Sequence, residues 1–172
     1  IQKGDIVLGD VNAPVQIVEY ASMTCGHCAS FHNVHFEAIK EKFVDTGKVS
    51  FILRDLPWDP VAQAVSAVAR CAPKDQYYSY VSAFMSTHES WMKSADTVAS
   101  IKQVARLGGM SSDDVDACLK NAEVIDNINK VRKVALEVLE VRGTPTFFVN
   151  GQRVNGMMTA SLLEEVYADL VK

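Results

Sequence analysis

The sequence predicts an α/β protein whose strands lie near both ends of the chain and whose middle is helical. Residues 15–20 (VQIVEY) are rich in β-branched side chains and follow a turn, which is typical of a strand. Between residues 60 and 138, apolar side chains recur only at helical spacing. Strand character returns at residues 146–149 (TFFV), and Asn150 with Gly151 then gives a strong hairpin signal. We therefore expect a β-α-β unit, a helical block and a β-β-α unit, in that order.

The first unit places Cys25 at the point where a strand becomes a helix. After Cys25 the apolar residues take up helical spacing, and Gly47 ends this helix. The residues that indicate its helical period are Phe31, Val34, Ala38 and Ile39. Residues 49–53 (VSFIL) predict a second strand, and Pro57 and Pro60 close the unit.

The helical block and the last helix are predicted from amphipathic stretches. In the block, the residues assigned to inner faces are Val61, Val65, Val68, Ala69, Val98, Ile101, Val104, Leu107, Val124, Ile128, Val131, Ala135 and Val138. Ser111 with Asp114 resembles a capping box that opens the short helix holding Cys118. Thr159 is a suitable cap for the final helix. The inward residues of that helix are Leu163, Val166 and Leu170.

Composition sets limits on the kind of partner. The 172 residues are 48% hydrophobic and carry a net charge of −4, which argues against nucleic acid and anionic membranes as partners. No apolar run approaches the roughly 18 residues needed to span a bilayer. Because the chain begins at Ile1 without a leader, we expect a processed form whose export signal has been removed.

The strongest chemical signal is the CxxC motif formed by Cys25, Gly26, His27 and Cys28. Free backbone N–H groups and the helix dipole favour an anion at a helix start, so Cys25 should have a pKa below the usual ~8.5. A polarised His27 would add to this effect. A stabilised thiolate makes the disulfide more oxidising and Cys25 a better leaving group, and Cys28 would then be the resolving partner.

A zinc site is the alternative interpretation of CxxC, because this spacing also supplies zinc ligands. A tetrahedral site needs two more ligands, and Cys71 and Cys118 are not spaced as a second pair. His32 and His35 follow the motif on the same helix, and we interpret them as solvated or edge-packed residues. We therefore predict no metal site.

Cys71 and Cys118 both fall in the helical block, 47 positions apart. We hypothesise a disulfide between them, which would stabilise the fold by roughly 4 kcal/mol on the chain-entropy model. Two buried free thiols remain the alternative, because spacing does not establish proximity.

A second redox-related signal is Gly143, Thr144 and Pro145, which directly precede the returning strand. X-Pro bonds are the ones that commonly become cis. A cis Thr144–Pro145 bond would free backbone groups to pair with an extended substrate beside Cys25. An ordinary turn is the alternative, and the combination with CxxC favours the redox interpretation.

These stretches resemble the thioredoxin superfamily and, within it, the bacterial DsbA-like proteins. The matching segments are 18–32 (VEYASMTCGHCASFH), 143–151 (GTPTFFVNG) and the helical block between them, so the resemblance covers essentially the whole chain. It implies a thioredoxin-like fold with an inserted helical domain. The corresponding division is 1–59 with 139–172 for the thioredoxin-like domain, and 60–138 for the insertion.

The resemblance also implies a function. It implies export to the periplasm, catalysis of disulfide formation in reduced or unfolded secreted proteins, a cis Pro145, and reoxidation by a DsbB-like membrane protein. No metal or organic cofactor is needed. Glu19 falls where such proteins carry a buried acid, and would relay protons to Cys28. The alternative for Glu19 is a strand residue paired with a cation such as Arg54.

Two departures from the family pattern keep a second function open. Gly26 and His27 replace the proline–histidine of the best-known oxidases, and Thr144 before the proline is also similar to isomerases. Disulfide isomerase or reductase is therefore the alternative. Few residues precede the first central strand, which leaves no room for a dimerisation domain, so we expect a monomeric oxidase. A non-catalytic zinc-binding or chaperone module is the alternative from another class.

Four apolar residues are candidates for a substrate-binding surface. Met23, Met157, Met158 and Trp58 either edge an apolar groove for unfolded substrate or pack in the core. Core packing is the preferred interpretation for Trp58.

Overall fold

The computed structural model describes all 172 residues and contains one five-stranded sheet in the order β1-β3-β2-β4-β5. The strands are β1 (Val7–Leu8), β2 (Val15–Ala21), β3 (Val49–Asp55), β4 (Thr146–Val149) and β5 (Gln152–Val154). β2 runs parallel to β3, and the other neighbouring pairs are antiparallel. The sheet confirms the predicted strands and adds β1, which is too short to give a sequence signal.

Helices account for most of the remaining chain. They are α1 (Gly26–Phe31), α2 (Glu37–Ile39), α3 (Pro60–Cys71), α4 (Tyr77–Ser86), α5 (His88–Met92), α6 (Thr97–Leu107), α7 (Ser112–Leu119), α8 (Ala122–Glu137) and α9 (Ala160–Leu170). A short 3₁₀ turn, Lys74–Gln76, precedes α4. No helix is both long enough and apolar enough to cross a bilayer.

The helix that begins after Cys25 is not a regular α-helix. Two π-helical segments, His32–Phe36 and Lys40–Val44, make residues 26–44 one continuous helical stretch. The inner face is nevertheless defined by buried residues that recur every three or four positions: Cys28, His32, Phe36, Ile39 and Phe43. Val34 is 66% exposed, and Ala38 is exposed as well, which corrects their assignment to the inner face.

Side-chain caps define the starts of α3, α6, α7, α8 and α9. Ser111 and Asp114 form the expected capping box of α7, and Thr159 caps α9 as expected. Asp59, Asp96 and Asn121 cap α3, α6 and α8. Several residues assigned to inner faces are nevertheless exposed because they lie at helix ends, beyond the edge of the core. They are Val98, Leu107, Val138 and Leu170.

The core is continuous between the sheet and the helical block. One hydrophobic cluster includes Ile17 and Phe51 from the sheet together with Val68, Phe84 and Trp91 from the block. The block therefore packs directly on the rest of the fold. We propose that the chain divides at residues 60 and 138, and that these two parts share one core.

Candidate active site

Cys25 lies at the N-cap position of α1, at the end of the loop that leaves β2. Its backbone is extended, and its sulfur accepts a hydrogen bond from the backbone N–H of Cys28 at 3.4 Å. Gly26 and His27 are exposed, whereas the Cys28 side chain is buried. The two cysteines are free thiols in this structure. Of the pair, only Cys25 is accessible to another molecule.

The surroundings of Cys25 stabilise its thiolate. A hydrogen bond from the Cys28 thiol is the largest cause that lowers the pKa, and burial opposes it. The side chain of Thr144 and the backbone N–H groups of Cys28 and His27 lower the pKa further, bringing it to about 5. Cys25 is therefore ionised at neutral pH, as expected for a thiol at a helix start.

The environment of Cys28 has the opposite effect. Burial is the largest cause that raises its pKa, followed by its hydrogen bond to Cys25 and by the charge of Glu19. The pKa of Cys28 lies far above that of an ordinary thiol. The pair thus combines one thiolate at the surface with one buried thiol.

The loop before β4 brings Thr144 and Pro145 beside Cys25. The Thr144–Pro145 peptide bond is cis, the isomer expected from the sequence. In its thiol form, Cys25 donates to the carbonyl oxygen of Thr144 at 3.4 Å. The indole N–H of Trp58 donates to the Thr144 hydroxyl oxygen at 3.0 Å. The Thr144 hydroxyl accepts from Trp58 and can donate its own hydrogen to Cys25, so the contact with Trp58 helps to orient it.

The loop that carries Trp58 also contacts the loop before Cys25. Thr24 donates its hydroxyl hydrogen to one carboxylate oxygen of Asp59 at 2.5 Å. The other oxygen of Asp59 accepts from the backbone N–H of Ala62 at 2.8 Å and caps α3. Arg132, from α8, donates to the carbonyl oxygen of Pro57 at 3.0 Å. The start of the helical block is thereby attached to the loop that leads into Cys25.

Trp58 is a functional candidate that sequence reasoning misassigned. Its side chain is 43% exposed, so the expectation that it packs in the core is wrong. Met23 and Met158 are fully buried and cannot edge a substrate groove, whereas Met157 is half-buried. The polar indole N–H, which needs a partner, was the available signal for Trp58.

A buried acid–histidine pair lies behind the cysteines. Glu19 is fully buried on β2, and its Oε2 lies 2.9 Å from Nε2 of His32. His32 is 8% exposed, so its interpretation as a solvated or edge-packed residue is wrong. His35, by contrast, is half-buried. His32 follows Cys28 by four residues and so shares its buried face; its polar side chain, rather than the helical period, led to the exposed assignment.

The alternative partner proposed for Glu19 is also wrong. Arg54 donates instead to both carboxylate oxygens of Asp5, at 3.0 and 2.8 Å, and to the hydroxyl of Tyr20 at 3.1 Å. Asp5 lies near the beginning of the chain, where sequence patterns gave no indication of a contact with β3. Glu19 is therefore free of Arg54 and acts on Cys28 through its charge.

Cys71 and Cys118 form a disulfide that joins the end of α3 to α7. Their Cα atoms are 6.0 Å apart, within the usual range for a bridge. Because each sulfur is bonded to the other, neither is available as a ligand for the zinc site considered from the sequence. This bridge is separate from the Cys25–Cys28 pair.

A sheet of this order, a CxxC pair at a helix start and a cis proline beside it define the class of thioredoxin-fold dithiol proteins. The family model described as Thioredoxin matches residues 2–167. The chain belongs to this thioredoxin family.

Its named relatives include proteins of disulfide chemistry. A Rickettsia typhi protein named as a protein-disulfide oxidoreductase is 28% identical over 152 residues, which are 88% of this chain and 56% of the relative. The thiol:disulfide interchange protein DsbA of Yersinia pestis is 27% identical over 168 residues, covering 94% of this chain and 80% of that protein. This chain spans a little over half the length of the Rickettsia relatives that it matches.

The structure is also similar to a solved DsbA protein. The crystal structure of Wolbachia pipientis alpha-DsbA1 superposes with a TM-score of 0.90 at 28% identity, over 99% of this chain and 92% of that one. The helical block is included in this coverage. The DsbA-like resemblance inferred from the sequence is therefore confirmed.

Proposed function

We propose that this protein is a thiol–disulfide oxidoreductase that forms disulfides in secreted proteins through Cys25 and Cys28. The observation that carries the proposal is the asymmetry of the pair: Cys25 is accessible with a pKa of about 5, and Cys28 is a buried thiol. A stable thiolate favours the reduced form of the pair, so the disulfide form is a good oxidant. This direction of electron flow supports an oxidase.

The reaction proceeds by two exchanges. A substrate thiolate attacks the Cys25 sulfur of the oxidised pair, the Cys25–Cys28 bond breaks, and Cys28 leaves as a thiolate that takes up a proton. A second substrate thiolate then attacks the substrate sulfur of the mixed disulfide and releases Cys25 as a thiolate. Two electrons pass from the substrate dithiol to the pair, and the substrate gains one disulfide.

Cys28 must take up a proton at a buried position, and the substrate thiols release protons as they form thiolates. Glu19 raises the pKa of Cys28 through its charge, which favours the protonated thiol. One oxygen of Glu19 is hydrogen-bonded to His32, and the other has no hydrogen-bond partner within the protein. We further propose that Glu19 relays a proton to Cys28 during exchange, and that His32 orients its carboxylate.

The proposal also includes a compartment, an oligomeric state and partners. The protein acts in the periplasm as a monomer, on reduced or unfolded secreted proteins, and a DsbB-like membrane protein reoxidises it. It needs no metal or organic cofactor for dithiol exchange. Gly26, His27, Thr144 and Pro145 adjust the potential and the access of Cys25. The Yersinia pestis relative, whose name describes thiol:disulfide interchange, supports this assignment.

The test combines two cysteine variants with a reduction potential. The oxidised wild type should oxidise a reduced two-cysteine peptide, Cys25→Ala should not, and Cys28→Ala should accumulate a mixed disulfide through Cys25. Equilibration in glutathione buffers should give a potential more oxidising than the ≈ −270 mV of thioredoxin. Oxidation of the peptide by Cys25→Ala would overturn the proposal.

Isomerase or reductase activity is the second candidate, favoured by Gly26 and Thr144. An isomerase starts from the reduced pair, and Cys25 attacks a mispaired substrate disulfide. Recovery of a substrate with scrambled disulfides by the reduced protein, together with slow oxidation of dithiols, would favour this candidate. A non-catalytic zinc or chaperone module is tested by the same cysteine variants, because its activity would survive Cys25→Ala or require zinc.

A further inference from the structure

A positively charged groove of about 320 Å³ begins beside the cysteine pair. His27 and the Thr144–Pro145 loop form its end nearest Cys25. From there it continues along the residues that follow β5, including Asn155 and Met157. A chain bonded to Cys25 would lie next to this end of the groove.

Two arginines give the groove its charge. Arg142 and Arg153 line it and are exposed, and no Asp or Glu is among the lining residues. Neither guanidinium lies within 4.0 Å of a carboxylate anywhere in the chain. The site therefore carries two unneutralised positive charges, although the whole protein has a net charge of −4.

Each arginine is held in place by a backbone carbonyl at or just after the end of α8. Arg142 donates to the carbonyl oxygen of Leu136 at 2.8 Å, and Arg153 donates to the carbonyl oxygen of Leu139. The guanidinium carbon of Arg153 also lies over the ring of Phe148, 5.4 Å from the ring centroid. A guanidinium has five N–H donors, so each retains donors for a ligand after these contacts. The side chains are thus oriented before any ligand arrives, which lowers the entropy cost of binding.

We propose that this groove selects substrate segments that carry Asp or Glu near the exchanging cysteine. The inference rests on the proposed function, since the groove adjoins the cysteine that exchanges. Carboxylates are the complementary groups because arginine binds them through paired N–H donors. Local charge, rather than an apolar surface, would then decide which cysteines react fastest with Cys25.

The test compares two cysteine peptides that differ only in charge. One carries Asp and Glu beside the cysteine, and the other carries Asn and Gln at the same positions. Two exposed ion pairs of about 0.2–1 kcal/mol each amount to about 0.4–2 kcal/mol, so the acidic peptide should react about twofold to thirtyfold faster with the oxidised protein at low salt. The ratio should approach one at about 1 M salt, where the Debye length falls to about 3 Å.

Controls separate the groove from the chemistry of the thiols. Each rate is divided by the rate of the same peptide with an uncharged small disulfide, which corrects for the reactivity of the peptide thiol. Arg142→Gln and Arg153→Gln should each reduce the corrected ratio, and Arg142→Lys, which keeps the charge without the paired donors, should keep only part of it. Arg106→Gln removes an equal charge from an exposed residue of α6 that does not line the groove, and should change nothing.

The outcomes distinguish failure of the groove proposal from failure of the oxidoreductase proposal. Equal corrected rates for both peptides with the wild type would overturn the groove proposal and leave the oxidoreductase proposal intact. A ratio that survives in both glutamine variants would also overturn it. If both peptides react with the small disulfide but neither reacts with the oxidised protein, the proposed function is overturned together with the inference.

Discussion

The contact between Trp58 and Thr144 predicts that two residues without sulfur adjust the reactivity of Cys25. Thr144→Val keeps the shape of the side chain and removes the hydroxyl that lowers the pKa of Cys25. Trp58→Phe keeps an aromatic ring and removes the N–H that donates to that hydroxyl. Both changes leave the cysteines and the helix start in place.

The expected size follows from the strength of the hydrogen bond. A hydrogen bond to a charged group contributes about 1.5–3 kcal/mol, and partial exposure of Cys25 places its value near the lower limit. About 1.4 kcal/mol corresponds to one pKa unit, so Thr144→Val should raise the pKa of Cys25 by roughly one unit. The potential should become about 30 mV more reducing. Trp58→Phe should produce a smaller shift in the same direction, because the hydroxyl remains but is less well oriented.

The assay measures the rate of alkylation of the reduced protein as a function of pH. Thr144→Ser is the matched control, since it retains the hydroxyl and should retain the pKa of about 5. The double variant decides the route: Trp58→Phe should have no further effect once Thr144 is Val. An equal shift from Trp58→Phe in both backgrounds would refute the reasoning, as would an unchanged pKa in Thr144→Val.

Three further predictions concern stability, and each is measured by urea denaturation. The low pKa of Cys25 stabilises the reduced fold fully above pH 9 and progressively less as the pH falls toward 5. The difference in the free energy of unfolding between the reduced wild type and Cys25→Ser should therefore shrink over that window. A difference that stays constant with pH would contradict this expectation. Cys71→Ala with Cys118→Ala should lower the free energy of unfolding by roughly 4 kcal/mol, and a change below about 1 kcal/mol would contradict the chain-entropy estimate. His32→Leu leaves Glu19 buried without its partner and should cost about 3 kcal/mol, with a negligible loss as the contrary result.

The sequence predicted the parts of the fold that local patterns determine. β2 and β3 are short, rich in β-branched residues and buried on both faces, so their composition identifies them without tertiary information. The hairpin at Asn150 and Gly151 and the caps at Ser111 and Thr159 follow from the chemistry of single turns. The CxxC pair was recognisable for the same reason, since its position at a helix start is a local property.

The remaining contacts depend on geometry that the sequence period does not contain. The hydrogen bond between His32 and Glu19 explains why this polar side chain is buried, and it joins two elements whose contact no helical period reveals. Trp58 reaches Thr144 only because the fold brings distant segments together. The ion pair of Arg54 with Asp5 likewise depends on where the first residues cross the sheet.

The position of β2 in the sheet has a consequence for how the chain emerges from the ribosome or a translocation channel. β3 follows soon after β2, but β4, which completes the other edge of β2, is separated from it by the whole helical block. Until residues 146–149 appear, the central strand presents a row of unpaired N–H and C=O groups to neighbouring chains, which invites aggregation. A nascent form ending before β4 should therefore depend on a chaperone to stay dispersed, whereas the finished chain should not.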